Sequence, residues 1–271
     1  MKPFWRLWKK SHCTWRSRER RSFLLFLAPS FLGVLIFVIF PFMDVVKRSF
    51  TTAVTSEFVG ASNYRTVFAN EAFRLAVKNT AVFTIVCIPL LVVSGFIAAV
   101  LLSHISSSGA VKSFSLLTMA MPTAAVAIVW EMIFYKPSFS VLVISYIWKN
   151  IGYTIVLWFA GILAVSKETI EAAQVDGAGG IRIFRYIILP DLKGCLFTIV
   201  ILSVLNSFKI YREAYLVAGS YPPKDMYLLQ HLFNNWFVNL EFDKMAAATV
   251  CMGVVLFVMI FILQKLWDNE M

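Results

Sequence analysis

Charged residues are scarce in this sequence. Asp, Glu, Lys and Arg together make up 15% of the 271 residues, whereas hydrophobic side chains make up 59%. Soluble domains carry about 25% charged residues. The composition therefore excludes an ordinary soluble domain and is typical of a membrane protein.

Cysteine and histidine are also scarce, and neither is clustered. The four cysteines are isolated, and three of them lie in apolar runs, so they lack the spacing of a disulfide framework or a zinc site. The histidines are dispersed as His12, His104 and His231. No phosphate-binding Gly-x-x-x-x-Gly-Lys-Ser/Thr pattern occurs. We therefore predict no metal ligands, no catalytic residues and no cofactor bound by this chain, which we expect not to be an enzyme.

Long uncharged stretches are abundant, and six of them are candidates for crossing a membrane. A helix needs roughly 20 apolar residues to span the hydrocarbon core, and continuous runs of that length exclude a β-barrel. The fourth stretch reaches this length only if its helix starts near Phe139, and the fifth only if it continues to about Ile210. The stretches are Phe23–Phe42, Thr80–Ser103, Ser113–Trp130, Asn150–Ser166, Gly194–Phe208 and Met245–Gln264.

Basic residues crowd ahead of the first apolar stretch. Residues 1–22 hold eight Lys and Arg against Glu19 alone, which predicts a cytoplasmic amino terminus. The net charge of +10 is thus read as a membrane anchor, and nucleic acid is not an expected partner. The apolar stretch is too long for a signal peptide and no small-residue cleavage site follows it. Six spans then return the carboxyl terminus to the cytoplasm, with a basic tail at 1–22, a six-helix domain at 23–266 and a short tail at 267–271.

The inside loop between the fourth and fifth stretches, residues 167–193, carries the most specific pattern. Ser166 is a candidate N-cap for a helix over Lys167–Asp176, and Gly177 can supply a left-handed residue at its end. A second apolar periodicity follows until Pro190, which should stop the helix. From shape alone, this helical hairpin is equally compatible with a solvated connection and with a docking surface.

The residues of this loop resemble the EAA loop of binding-protein-dependent ABC transporter permeases. Seven specified positions fit that pattern: Glu171, Ala172, Ala173, Gly177, Ile187, Leu189 and Pro190. Further resemblance to the sugar permeases of maltose, lactose and glycerol-phosphate uptake lies in Leu27-Ala28-Pro29, Phe58-Val59-Gly60, Asn63-Tyr64 and Trp148-Lys149-Asn150. One departure is the short outside turn Tyr135-Lys136-Pro137-Ser138, where such permeases usually have a longer segment.

The resemblance implies an all-α integral membrane protein with six transmembrane helices and the type I ABC importer permease architecture. It implies a cytoplasmic ABC ATPase dimer that binds ATP and Mg, a second permease subunit and an extracytoplasmic solute-binding protein. The residues that it implies for ATPase coupling are Glu171, Ala172, Ala173, Gly177, Leu189 and Pro190. The expected location is the bacterial cytoplasmic (inner) membrane.

Polar residues within the apolar stretches are candidates for the substrate path. They form one stripe at Tyr146, Lys149, Asn150 and Tyr153 and another at Ser203, Asn206 and Ser207. Amide, amine and hydroxyl groups with aromatic faces suit a sugar. The alternative is hydrogen bonding between helices, and for Lys149 a structural pair with Glu131.

The segment Tyr227–Phe242 has apolar residues at helical spacing. We interpret it as a packed lid over the outer mouth, and a contact with the binding protein is the alternative. The resemblance implies that the whole chain is the permease subunit of an ATP-driven importer for a sugar or oligosaccharide, in which the 167–193 loop couples closure of the ATPase to alternating access. The competing hypotheses are an ion-gradient-driven secondary transporter, which should show broken helices or a midplane carboxylate, and a membrane scaffold or insertase.

Overall fold

A computed structural model describes residues 25–103, 118, 120–134, 137–208 and 210–268. The basic tail, His12, His104, the Tyr135-Lys136 turn, Lys209 and the start of the third apolar stretch lie outside the described residues. The chain divides into two compact units, one of residues 1–67 with 241–254 and the other of residues 68–240 with 255–271.

Five helical segments among the described residues are long and apolar enough to cross a membrane. They are Leu25–Ser49 (α1), Glu71–Ser103 (α3), Phe139–Ala164 (α5), Lys193–Leu216 and Phe242–Trp267. The last lies within helix α11, Phe242–Asp268. The predicted start of the fourth span at Phe139 is confirmed.

The third predicted stretch is helical only in part within the described residues. Its helix α4 covers Thr123–Ile133, 11 residues, which is shorter than a full span requires. Pro122 takes an extended conformation with ψ 132° at the N-cap, so it separates α4 from the residues before it.

The fifth span extends further than the sequence indicated. Helix α8 covers Lys193–Ser207, and helix α9 covers Tyr211–Ala218, so the apolar segment continues past Ile210 to Leu216. The prediction stopped early because Arg212 and Glu213 resemble a loop. Glu213 instead forms an ion pair with Lys149, which compensates its charge inside the span.

In the first unit, the turn after α1 is closed by hydrogen bonds. Helix α2, Ser62–Ala69, brings in Asn63, whose Nδ2 donates to Ser49 O at 3.1 Å and Thr51 O at 2.9 Å. The Ser49 and Tyr64 hydroxyls lie 2.7 Å apart, and Gly60 has a φ of 56°. The Gly60 and Asn63-Tyr64 positions thus have local structural roles.

In the second unit, helices α3 and α5 form the centre of the packing. In the apolar 18-residue stretch of each helix, 56% of the α5 residues are buried, but only 22% of the α3 residues. One cluster joins Phe83, Leu91, Leu142 and Tyr146, and another joins Ala99, Trp158, Leu192 and Ile199. Because α5 is enclosed by protein, its polar residues meet other helices more than lipid.

The segment after α9 packs against α3 in this unit. A 3₁₀ turn at Lys224–Met226 leads into helix α10, Leu229–Val238, which buries Leu229, Leu232 and Trp236. The rings of Trp236 and Phe73 stack with centroids 6.4 Å apart. Asn79 on α3 donates through Nδ2 to Lys224 O and Tyr227 O. The segment therefore packs as an amphipathic element; its role as a lid stays a prediction.

Among the residues that the structure describes, two helices contain a π-helical turn, and each turn is followed by a proline. The first covers Leu35–Ile39 in α1 ahead of Pro41, and the second covers Phe184–Ile188 ahead of Pro190. Proline lacks an N–H and its ring collides with the carbonyl four residues earlier. A π turn is a one-turn bulge in a helix, and the helix continues through each of these two prolines.

Candidate functional site

The loop between α5 and α8 is a helix, a turn and a second helix, as predicted. Helix α6 covers Lys167–Val175, and its N-cap Ser166 accepts a hydrogen bond from the Thr169 N–H at 3.2 Å. Ala178 N–H donates to Ala173 O at 2.9 Å, and Gly177 has a φ of 79°. Since this region of φ favours glycine, Gly177 fixes the direction in which the chain leaves α6.

The prediction that Pro190 stops the second helix is wrong. Helix α7 consists of Gly180–Ile183, the π turn Phe184–Ile188 and the last turn Leu189–Asp191. Leu192 N–H then donates to Ile188 O at 3.0 Å. Leu189 and Pro190 therefore belong to a nearly continuous helical path from the turn into α8.

The tip of this loop is exposed, and its large apolar side chains do not pack into the described fold. Val175 is 88% exposed and Ile181 is 87% exposed. A Cβ added at Gly179 or Gly180 would meet no described heavy atom within 4 Å. Neither glycine is needed by the packing of the described chain, and Gly179 has an ordinary φ of −72°. This combination is typical of a surface that another protein approaches closely.

Most of the predicted substrate-path residues are brought together between α5 and α8. Tyr146 donates its hydroxyl to Ser203 O at 2.7 Å, and the Tyr153 and Ser203 hydroxyls lie 2.9 Å apart. Asn150 Nδ2 donates to Tyr146 O at 2.8 Å. Ser207 Oγ lies 3.1 Å from Thr84 Oγ1, whereas Asn206 is half-buried. We call Tyr146, Tyr153 and Ser203 the tyrosine–serine cluster; it fastens α5 to α8.

Lys149 forms its ion pair with Glu213, not with the Glu131 that the sequence suggested. The Lys149 ammonium contacts Glu213 Oε1, and Glu213 is only 3% exposed while Glu131 is exposed. Sequence reasoning missed Glu213 because it was placed in the outside loop. A signal was available, because a buried charge such as Lys149 requires a partner of opposite charge. Glu213, just beyond the fifth apolar stretch, was a candidate for that partner.

His231 is buried at the start of α10. The Leu228 N–H donates to His231 Nδ1 at 3.3 Å, and the Tyr227 and His231 rings stack with centroids 5.9 Å apart. Burial lowers the pKa of His231 to about 4, because the charged imidazolium is poorly solvated there. The imidazole is therefore neutral at neutral pH and caps the helix through Nδ1.

The five long apolar segments among the described residues define a multi-pass membrane protein. The model of the family described as binding-protein-dependent transport system inner membrane component matches residues 91–271. The chain belongs to this family. The match includes the 167–193 loop and the polar stripes.

Several transport permeases are similar to the chain along most of its length. It is 26% identical over 234 residues to the trehalose/maltose transport system permease protein MalF of Thermococcus litoralis, covering 76% of this chain and 79% of that protein. It is 27% identical to the arabinooligosaccharides transport system permease protein AraP of Bacillus subtilis, covering 89% and 87%. It is also 27% identical to the sn-glycerol-3-phosphate transport system permease protein UgpA of Agrobacterium fabrum, covering 85% of this chain and 89% of that protein.

The fold is also that of a solved ABC importer. A crystal structure of a bacterial ABC transporter involved in the import of the acidic polysaccharide alginate matches with a TM-score of 0.74, covering 97% of this chain and 99% of that chain at 18% identity. These similarities lend no support to the secondary-transporter hypothesis. The expected membership of the binding-protein-dependent permeases is confirmed.

Proposed function

We propose that this chain is the membrane-spanning permease subunit of an ABC importer for a sugar or oligosaccharide. The support comes from the similar permeases, whose names specify trehalose, maltose and arabino-oligosaccharides. The chain lies in the bacterial inner membrane with both termini in the cytoplasm. The basic residues ahead of α1 support this orientation, since cytoplasmic flanks carry an excess of Lys and Arg.

The exposed loop at 167–193 is the proposed contact with a partner ATPase that binds ATP and Mg. The observation that carries this proposal is the exposure of Val175 and Ile181 beside two glycines that the described packing does not require. Glu171 and Ala172 are exposed on α6, and Ala173 is half-buried. The small side chains of Ala172 and Ala173 and the sharp turn at Gly177 let a partner surface approach the helix backbone.

Helix α7 and the residues that follow it carry motion from this contact into the membrane. Leu192 is 1% exposed and belongs to the cluster that contains Trp158 and Ile199. Leu189 and Pro190 directly precede it, so a displacement of the loop reaches the core through a few packed residues. The tyrosine–serine cluster then links α8 to α5, along which Lys149 and Asn150 lie. We propose these stripes, with Asn206 and Ser207, as part of the substrate path.

A second permease completes the pathway in this proposal, and a solute-binding protein delivers the substrate from outside. Another similar structure is an alginate ABC transporter in complex with an alginate pentasaccharide-bound periplasmic protein, with a TM-score of 0.75 and 18% identity. Its fold covers 94% of this chain. The fold is thus compatible with an importer that works with a binding protein.

The test is purification of the chain from detergent-solubilised native membranes, with the co-purifying proteins identified by mass spectrometry. Wild type should retain an ABC ATPase and a second permease. Glu171→Lys and Gly177→Asp should lose the ATPase and retain the second permease. The same charge reversal at exposed Glu57, in the loop that follows α1, serves as the matched control and should retain both. Absence of any ATPase from the wild-type sample would contradict the proposal.

A transport assay identifies the solute. Cells that carry the complete importer should accumulate at least one radiolabelled sugar from a panel of maltose, trehalose and arabino-oligosaccharides. Uptake should stop when the ATPase is inactivated. Uptake that persists without the ATPase but collapses with the ion gradient would establish the competing hypothesis.

A further inference from the structure

A cavity in the first unit lies where one membrane span ends and another begins. It has a volume of about 120 Å³ and is lined by the last turns of α1, the turn that follows α1 and the first residues of α11. Its charged lining residues are Asp44, Lys47, Arg48 and Asp243. One water molecule needs only about 10–15 Å³ of such space, so the cavity can admit a larger polar group.

Two opposite charges in this cavity are not compensated by the protein. Asp44 Oδ2 and Arg48 Nε form an ion pair at 2.7 Å. Lys47 and Asp243 line the same cavity, but neither forms an ion pair with any residue that the structure describes, including each other. Asp243 accepts one hydrogen bond, from the Lys244 N–H to Oδ1 at 2.8 Å. The cavity therefore presents a separate cation and anion to a ligand.

The helix surface that leads to the cavity is apolar and exposed. In the apolar 18-residue stretch of α1, 0% of the residues are buried against the described chain. Residues four apart on a helix are neighbours on one face, so Phe40 lies one turn from Asp44 and Met43 one turn from Lys47, towards the middle of the span. Both apolar side chains are exposed. The charged cavity thus lies at the end of a lipid-exposed helix face, which is the level of lipid headgroups.

The charges of the cavity specify the kind of headgroup. A Lys ammonium binds a phosphate as a point charge, and an Asp carboxylate accepts hydrogen bonds from an ammonium group. A headgroup that carries both a phosphate and an ammonium group compensates Lys47 and Asp243 together. A neutral sugar compensates neither charge, and an anionic headgroup without an ammonium group is repelled by Asp243.

We propose that this cavity binds the zwitterionic headgroup of phosphatidylethanolamine, with its phosphate at Lys47 and its ammonium group at Asp243. A soluble glycerophosphoethanolamine carries the same two groups. The exposed face at Phe40 and Met43 favours the lipid, because acyl chains cover that face and a soluble ester does not. The proposal requires only that the chain spans a membrane, and it does not rest on the proposed sugar import.

Two variants each remove one of the uncompensated charges. Lys47→Gln removes the cation and Asp243→Asn removes the anion, and both keep a polar side chain of similar size. Lys47 is exposed and Asp243 is half-buried, so neither change opens a hole in the core. Matched controls are Arg65→Gln and Glu57→Gln, which are exposed in the same unit and do not line the cavity.

The measurement is native mass spectrometry of the chain, purified in detergent with its subunits and titrated with phosphatidylethanolamine, phosphatidylglycerol or glycerophosphoethanolamine. Wild type should bind phosphatidylethanolamine more tightly than the other two. Lys47→Gln should bind both lipids roughly fivefold more weakly, the usual contribution of one Lys near a membrane surface. Asp243→Asn should bind phosphatidylethanolamine more weakly and phosphatidylglycerol more tightly, because it removes the partner of the ammonium group and the repulsion of the anionic headgroup. Both controls should match wild type.

The proposal is overturned if Lys47→Gln and Asp243→Asn bind both lipids as their controls do, or if Asp243→Asn keeps the wild-type preference between the lipids. Glycerophosphoethanolamine that binds as tightly as the lipid would refute the lipid as the source, and displacement of the lipid by maltose would assign the cavity to a sugar. The ATPase pull-down is independent of these results. A chain that recruits no ATPase but shows the expected lipid preference refutes only the importer.

Discussion

Gly95 of α3 lies directly against Thr154 of α5. A Cβ placed on Gly95 would stand 2.4 Å from Thr154 Cγ2 and 2.9 Å from Thr154 Cβ, both closer than atoms tolerate. The two helices therefore approach at this point only because residue 95 has no side chain. Small residues at such crossings are typical of helix packing in membranes.

We predict that Gly95→Ala destabilises the protein by about 1–3 kcal/mol, the usual cost of overpacking a core. Thr154→Ser removes the Cγ2 atom that clashes most and should restore part of the loss in the double variant. The measurement is thermal unfolding in detergent. Gly253→Ala is the control, because an added Cβ there meets no described heavy atom within 4 Å. Equal melting temperatures for Gly95→Ala and Gly253→Ala would show that the crossing is not tight.

The ion pair between Lys149 and Glu213 leads to a second prediction. Lys149→Met leaves the Glu213 carboxylate, 3% exposed, without its compensating charge, and such a change costs about 3–5 kcal/mol. Adding Glu213→Gln removes the orphaned charge and should recover much of this loss. A double-mutant cycle on melting temperature measures the coupling. Additive losses would mean that the two side chains do not depend on each other.

His231 makes the stability of the α10 region depend on pH. Its pKa is lowered from 6.5 to about 4 in the folded protein, so between these values the unfolded chain binds more protons. The contribution of neutral His231 to the free energy of unfolding is thus fully present above about pH 6.5. It falls by up to about 3 kcal/mol as the pH decreases towards 4. Protonation of Nδ1 would also remove the acceptor for the Leu228 N–H.

The test is hydrogen exchange of α10 between pH 7 and pH 4.5, after correction for intrinsic exchange rates. Wild type should lose protection as the pH falls. His231→Gln keeps a side-chain acceptor for the cap but does not titrate, and it should show a smaller pH dependence. The same loss of protection in both proteins would assign the effect to another group.

For the proposed substrate path, we predict that Asn150→Ala lowers uptake and leaves the ATPase bound. Asn150 is 8% exposed and lies one turn beyond Tyr146, whose carbonyl it contacts. The matched variant is Thr154→Ala on the same helix, which loses a similar hydrogen bond to the carbonyl four residues earlier. A loss of ATPase association in Asn150→Ala would refute the separation between path and coupling.

The sequence predicted the helical loop in detail, because its signals are local. The Ser166 cap, the left-handed Gly177 and the periodicity of α6 each depend on a few neighbouring residues, and the structure confirms all three. The start of α5 at Phe139 followed from the length that a span requires. The family resemblance relied on the same short-range patterns.

The features that the sequence did not yield depend on contacts between distant segments. Glu213 has the sequence environment of a loop residue. Its charge is tolerated within the apolar span because it pairs with Lys149, which lies 64 positions away in the sequence. Similarly, the hydrogen bonds of Tyr146 and Tyr153 to Ser203 could be predicted only from the way in which α5 packs on α8. Pro190 was assigned to a helix end because local propensity does not show that the preceding turn widens.

The two π turns have a consequence for insertions and deletions. A π turn holds about one residue more than an α turn of the same axial length, so each acts as a one-residue insertion already absorbed by the helix. Deleting a residue from 184–188 together with Pro190→Ala should restore an α turn and keep both flanking faces in phase. One deletion within α5 would instead rotate everything beyond it by about 100°. The loss of one residue should therefore be better tolerated in 184–188 than within α5.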